Sequence, residues 1–298
     1  MKRPLLFLTA ATLLVGCAAS PPASQSRRAT PAPPPVAAAP SPEPIWPADA
    51  PGLFAQSAVM IDARTGQVLF QKNADARRVP ASTQKLLTGL IIARHTDLDG
   101  LITINPAATR VSPTKLGLRS GERYTRRALL EAFIVKSSND AAAALAIDYA
   151  GSEEAFAAKM NETARELGAH SSYFVNSHGL PAEQYSTARD IARIAFAAYR
   201  NPTLRTMMNK EQSLFRHNNG RINRLESTNK LLGRSPAFNG MKTGYTNAAG
   251  RCLVSSGYLN GREVILVQLG SRTKYIFDDA ARIMAWSGGY RTPLYANF

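Results

Sequence analysis

Residues Arg251 to Leu269 read RCLVSSGYLNGREVILVQL. Two apolar, β-rich runs, 251–258 and 263–269, are joined at Asn260-Gly261, a pair that tolerates the positive φ angles of a two-residue hairpin turn. A second strand pair is predicted near the other end of the chain, from Ala58-Val59-Met60-Ile61 through Arg64-Thr65-Gly66 to Val68-Leu69-Phe70. Between these pairs the apolar spacing turns helical. Helices are expected over Ala81 to about Arg94, Thr125 to Val135, Ala141 to Tyr149, Ser152 to Leu167 and Thr187 to Arg200. Ser152 and Thr187 are suited to cap the last two, and Gly168 and Pro202 stand where they end. A final helix is expected from Lys274 to Trp286. Strands from both chain ends around a helical block predict an α/β (α+β) fold. Its antiparallel sheet unites the termini, helices lie on its faces, and a helical subdomain is inserted beside it.

The chain has 298 residues, and its opening differs from the rest. Lys2 and Arg3 precede a short apolar run, Leu5 to Val15, which overlaps Leu14-Val15-Gly16-Cys17. This pattern predicts a secretory signal over residues 1–16, cut before a lipidated Cys17. The run is too short to span a bilayer as a helix. Residues 17–51 are dominated by Pro, Ala and Ser and are expected to form a tether, leaving 52–298 as one domain. At ~3.1 Å per residue in polyproline geometry, some thirty residues would reach on the order of 90 Å from a lipid anchor. The only other cysteine, Cys252, sits in an apolar stretch and is expected to be a buried structural thiol. Basic residues number 36 against 21 acidic, a formal charge of +15, so anionic polymers or surfaces are expected to attract the chain. No nucleic-acid recognition motif accompanies that charge, and cell-wall polymers or anionic lipid head groups suit it better behind a secretory signal.

Three short motifs follow one another: Ser82-Thr83-Gln84-Lys85, Ser137-Ser138-Asn139 and Lys242-Thr243-Gly244. On a helix, residues three apart share a face, so the Lys85 amine is placed to reach the Ser82 hydroxyl. A serine hydroxyl is a weak nucleophile unless a base takes its proton during attack. Lysine can be that base when burial and nearby cations hold its pKa down, and Lys242 would supply one such cation. Ser137 and Asn139 offer a hydroxyl and an amide from a tight connection between two helices. The ordered set describes an acyl-transfer site with neither metal nor cofactor. His95, His170 and His217 have no metal-ligand spacing.

With Val79-Pro80-Ala81 before Ser82, Asn139-Asp140-Ala141-Ala142, Asn176-Ser177-His178-Gly179-Leu180, Asn229-Lys230-Leu231-Leu232 and Gly240-Met241 before Lys242, the chain resembles the D-alanyl-D-alanine carboxypeptidases among low-molecular-mass penicillin-binding proteins. The likeness runs from about Ser57 to about Tyr290. It implies the β-lactamase-like transpeptidase fold, with a cleft between sheet and helical part and with Lys242-Thr243-Gly244 on the strand edging it. It further implies Ser82 as nucleophile, Lys85 as general base, Ser137 as proton relay and Asn139 as a guide for the substrate amide. Lys242 and Thr243 would bind the substrate carboxylate. The amides of Ser82 and Tyr245 would form the oxyanion hole, and Gly244 would let the substrate backbone approach. Expected ligands are peptidoglycan stem peptides and, as covalent inhibitors, β-lactams. Ala18 after Cys17 implies release to the outer membrane in a Gram-negative host.

Two departures are visible. Where relatives carry a carboxylate-binding arginine after the last strand, this chain has Ile276-Phe277-Asp278, with Arg272 the nearest substitute. The chain also ends soon after the last helix, without the additional β-rich domain of several relatives, which shifts weight towards endopeptidases that cut D-alanyl cross-links. Two other activities share parts of the pattern. A serine β-lactamase of class A would need a deacylating glutamate in an ExxxN-type loop, which none of Glu153, Glu154, Glu162, Glu166 or Glu183 provides. A wall-binding protein without catalysis would have a broken motif, and all three are intact. His178 is expected to be structural.

Overall fold

The computed structural model describes residues 46–290 except 95, 96 and 273. Cys17, the predicted signal, residues 17–45 of the expected tether and His95 lie outside the described residues. The chain begins with β1 (Ser57–Asp62) and β2 (Val68–Lys72), followed by a 3-10 turn at Ala81–Gln84 and α1 (Lys85–Ala93). A peripheral section contains β3 (Leu101–Thr103), α2 (Pro106–Thr109) and β4 (Arg123–Thr125). Next come α3 (Arg126–Lys136), α4 (Asn139–Ala150), α5 (Glu153–Glu166), α6 (Ala188–Tyr199) and α7 (Pro202–Met208). A hairpin of β5 (Gln212–Arg216) and β6 (Ile222–Glu226) precedes β7 (Phe238–Thr246), β8 (Gly250–Leu259), β9 (Arg262–Ser271) and α8 (Ile276–Ser287).

The sheet has the order β2-β1-β9-β8-β7, with neighbours antiparallel. The predicted union of the chain ends therefore occurs where β1 pairs with β9, Val59 opposite Val267. Asn260 and Gly261 both adopt positive φ, 48° and 82°, as their turn requires. Successive strand residues point to opposite faces, so β8 and β9 divide their apolar side chains between two cores. Val254, Ile265 and Val267 join the large core built with the helical block, whereas Leu253, Val264 and Leu266 pack with Ile276, Ala280, Ile283 and Met284 of α8. Burial on both faces explains why these strands read as nearly continuous apolar runs.

The predicted helices recur with three changes, and the one-turn α2 is a helix the sequence did not announce. Ser82 lies in the 3-10 turn ahead of α1, not in an α-helical first turn. The last helix starts at Ile276, after Lys274 and Tyr275. Pro202 does not simply follow α6: it opens α7, where its missing N–H costs nothing and Asn201 caps the end by accepting from Leu204 N at 3.0 Å. Residues 46–51, assigned from sequence to the tether, lie against the fold. Trp46 meets Phe70 edge to face, with ring centroids 6.3 Å apart.

Candidate active site

Four elements converge on Ser82. Ala81, just before it, is fully buried with φ of +48°, a left-handed conformation that costs an L-residue about 1–2 kcal/mol and turns the chain sharply into α1. Two glycines make that turn possible. A Cβ at Gly179, where φ is +83°, would stand 2.2 Å from the Ala81 carbonyl oxygen, and one at Gly244 would stand 2.9 Å from Ser82 N. Gly244 thus admits the nucleophile's own backbone against β7, a demand in addition to the room it was expected to leave for substrate.

Lys85 is fully buried. Its Nζ donates to Asn139 Oδ1 at 2.6 Å and to the His178 carbonyl oxygen, and lies 3.0 Å from Ser82 Oγ. Burial first, and the charge of Lys242 second, hold the Lys85 ammonium well below its ordinary pKa, while Glu153 pulls the other way. Depressed in this way, the amine can be neutral and accept the proton of Ser82.

The second motif is shaped by two helix ends. Ser137 terminates α3 in the left-handed region, φ 65°, and Asn139 opens α4. Lys242 Nζ donates to Ser137 Oγ at 2.8 Å. Lys242 is 1% exposed, and burial pushes its pKa down to about 7. It therefore lies behind Ser137 and does not line the cleft, against the expectation that it touches the substrate carboxylate directly. Asn139 is likewise engaged: besides holding Lys85, its Nδ2 donates to the Pro113 carbonyl at 2.6 Å. One amide hydrogen remains for a substrate. Asp140 accepts from Leu116 N and Gly117 N, both at 2.9 Å, fixing the segment that carries Pro113.

A residue whose main chain matters was missed by motif reading. The His178 carbonyl receives Lys85 Nζ and lies 3.2 Å from Ser82 Oγ. Its ring is mostly buried and held near a pKa of about 3, first by burial and then by the Lys85 charge, which fits the structural role expected. Asn176 Oδ1 accepts from Gly179 N at 2.7 Å, Gln84 Nε2 donates to the Asn176 carbonyl at 2.6 Å, and Glu153 accepts from Ser177 N and Oγ at 2.9 and 2.8 Å. These bonds fix the carbonyl against the nucleophile. The Asn176-to-Leu180 stretch carries the only sequence signal for this, and the signal gives no atom.

Ser82, Ser137, Asn139, Thr243, Gly244 and Tyr245 line one cleft of about 500 Å³. Tyr245 stands at its rim, 60% exposed. Thr243 Oγ1 donates to Thr228 Oγ1 at 2.6 Å. Ile276 and Phe277 close one wall; among the described residues Arg272 is absent from the lining, the cations there are Arg251 and Lys230, and no carboxylate lines the cleft. Cys252 is buried at the cleft wall, and burial raises its thiol to about 11. Among the described residues no cluster suited to a metal ion occurs. His170 is exposed, and His217 is buried beside Arg221 Nη2 at 3.0 Å.

A family model described as D-alanyl-D-alanine carboxypeptidase, peptidase S11, matches residues 46–273. The D-alanyl-D-alanine carboxypeptidase DacF of Bacillus subtilis is 34% identical over 225 residues, 74% of this chain and 58% of its own length. A D-alanyl-D-alanine endopeptidase of Pseudomonas aeruginosa is also 34% identical, over 78% of this chain and 77% of its own. Among solved structures, a D-alanyl-D-alanine carboxypeptidase of Mycobacterium tuberculosis superimposes with a TM-score of 0.78 at 30% identity, covering 85% of this chain and 98% of that one. A Streptomyces DD-transpeptidase gives 0.75 at 30% identity, covering 80% and 98%. The chain thus spans less than two thirds of the Bacillus relative.

Proposed function

Because the chain belongs to the peptidase S11 family of D-alanyl-D-alanine carboxypeptidases, we propose that it removes the terminal D-alanine from peptidoglycan stem pentapeptides through an acyl-enzyme on Ser82. The observation that carries this reading is the buried Lys85 amine 3.0 Å from Ser82 Oγ, at the wall of an open cleft. Lys85 takes the hydroxyl proton as Oγ attacks the carbonyl of the penultimate D-alanine. The amides of Ser82 and Tyr245 stabilise the oxyanion. Ser137, backed by Lys242, passes a proton to the leaving amine, the C–N bond breaks and D-alanine departs. Asn139 steadies Lys85 and turns its remaining N–H towards the substrate amide. Thr243 and Arg251 receive the terminal carboxylate, with Arg251 standing opposite Tyr245 in the β7–β8 register and serving in place of the arginine that relatives carry at about Ile276-Phe277-Asp278. Water then hydrolyses the ester.

β-Lactams acylate the same serine, but their leaving group stays attached. With no carboxylate among the described residues of the cleft wall to activate water, the adduct persists. The test is intact-mass analysis after incubation with benzylpenicillin: one adduct per chain on Ser82, absent from Ser82→Ala, and negligible nitrocefin turnover. Sustained nitrocefin hydrolysis would make the protein a β-lactamase instead.

The opening residues support a location. Cys17, lipidated after removal of residues 1–16, would anchor the protein at a membrane, and the Pro/Ala-rich tether would carry the domain towards the wall. In a Gram-negative host this places it on the periplasmic side of the outer membrane.

A further inference from the structure

A second groove, of about 250 Å³, adjoins the cleft, and Lys230 lines both. It is smaller than the ~300–1,000 Å³ of sites for drug-sized molecules, and Leu232 is the only aliphatic side chain among the described residues of its lining. Its other walls are charged. Arg224 and Glu226 come from β6, where residues two apart share a face; both are exposed, and Leu225 between them is buried on the other side. Glu211 stands just before β5, its carbonyl accepting from Ser227 N at 2.8 Å. Gly233, with φ of +80°, leaves room for the Glu211 carboxylate, since a Cβ there would stand 2.8 Å from Oε2. Two acids and two bases thus share one small concavity. Yet among the described residues none of Glu211, Arg224, Glu226 or Lys230 is ion-paired.

Asn229 belongs to the same wall and is 3% exposed. Its Oδ1 accepts from Leu231 N at 3.1 Å and its own N donates to Ser227 Oγ at 3.2 Å, which fixes the side chain and the turn that carries it. Its Nδ2 finds no partner among the described residues. A buried amide donor without an acceptor costs on the order of 1–3 kcal/mol. The groove therefore offers a fixed N–H, two cations and two anions to a small ligand. A simple anion would be set against Glu211 and Glu226, and a simple cation against Arg224 and Lys230, like charge beside like in each case. Only a ligand with both signs of charge answers the whole lining. An α-amino acid carries both within that size, an ammonium and a carboxylate on one carbon.

We propose that the groove bounded by Glu211, Arg224, Glu226 and Lys230 is a binding site for a small zwitterion, a free α-amino acid, separate from the serine cleft. The ligand carboxylate accepts from Arg224, Lys230 and Asn229 Nδ2, and its ammonium donates to Glu211 and Glu226. Leu232 supplies an apolar contact suited to a short aliphatic side chain. Asn229 and Lys230 directly follow Thr228, whose Oγ1 accepts from Thr243 Oγ1 at 2.6 Å, so an occupied groove lies one residue from the cleft wall. The site takes nothing from Ser82 and stands apart from the acyl-transfer reading. D-Alanine, the residue which that reaction would release, belongs to the class and serves as the probe.

The experiment is a ligand-observed saturation-transfer NMR titration of the full chain, first acylated with benzylpenicillin so that the serine cleft is filled. D-Alanine is expected to bind with a Kd of about 1 mM or tighter. Propionate, which lacks the ammonium, and D-alaninamide, which lacks the carboxylate, should each bind about tenfold or more weakly, as should D-alanine to Arg224→Ala and to Glu226→Gln. Penicillin acylation and far-UV circular dichroism of both variants should stay within about twofold of native, which separates a lost site from a lost fold. Absence of D-alanine binding, binding unchanged in both variants, or propionate binding as well as D-alanine would overturn the assignment. Penicillin that fails to acylate the native chain would remove the acyl-transfer reading alone, and the same titration of the unacylated chain and its variants would then decide the groove.

Discussion

At Lys85, burial and the charge of Lys242 lower the pKa, while Glu153 raises it. Acylation needs the neutral amine, so its rate rises with pH through the Lys85 pKa. The sign of two substitutions follows. Lys242→Gln removes a charge that lowers the Lys85 pKa and should move the ascending limb of the acylation profile to higher pH. Glu153→Gln removes a charge that raises it and should move the limb to lower pH. Stopped-flow acylation with fluorescent penicillin across pH reads both, and shifts of the same sign would contradict the electrostatic account. Lys85 and Lys242 were legible in sequence because the SxxK and KTG spacings name them, whereas Glu153 lies in no motif. The His178 carbonyl was not legible either: every residue has a carbonyl, and only the folded loop aims this one at Lys85.

The element that makes Ser82 reactive is the turn Ala81–Gln84, held between the Asn176–Leu180 loop and β7. Gly179 meets two demands at once, a positive φ and a backbone approach that leaves no space for Cβ. Gly179→Ala should therefore push the loop from Ala81 and shift the His178 carbonyl away from Lys85. The expected outcome is a fall in acylation rate of about a hundredfold or more, the scale of losing general-base alignment, with far-UV circular dichroism retained. A variant with native acylation would show that the loop does not position Lys85. The sequence shows a glycine at this position but not the demand that the fold places on it. Sequence reading missed β5 and β6 because each buries one apolar residue, Phe215 and Leu225, while Leu214 and Ile222 face solvent. The apolar alternation that marks a half-buried strand is thereby scrambled. Strands β3 and β4, three residues each, are too short to show a period.

Across the whole molecule, the sheet and its two cores were legible because β8 and β9 bury both faces and β1 repeats the pattern at the far end of the chain. What sequence could not give is the relation between cleft and groove, which depends on Thr228 and Lys230 lying between β6 and β7 in space. The fold sets Ser82 between sheet and helical block, and the formal charge of +15 favours approach to an anionic wall polymer. The most direct measurement of the central claim is mass-spectrometric product analysis of purified stem pentapeptides incubated with the native protein and with Ser82→Ala. The account predicts loss of a single D-alanine with the native protein and none with Ser82→Ala. Intact pentapeptide after exhaustive incubation, or trimming that survives Ser82→Ala, would contradict it.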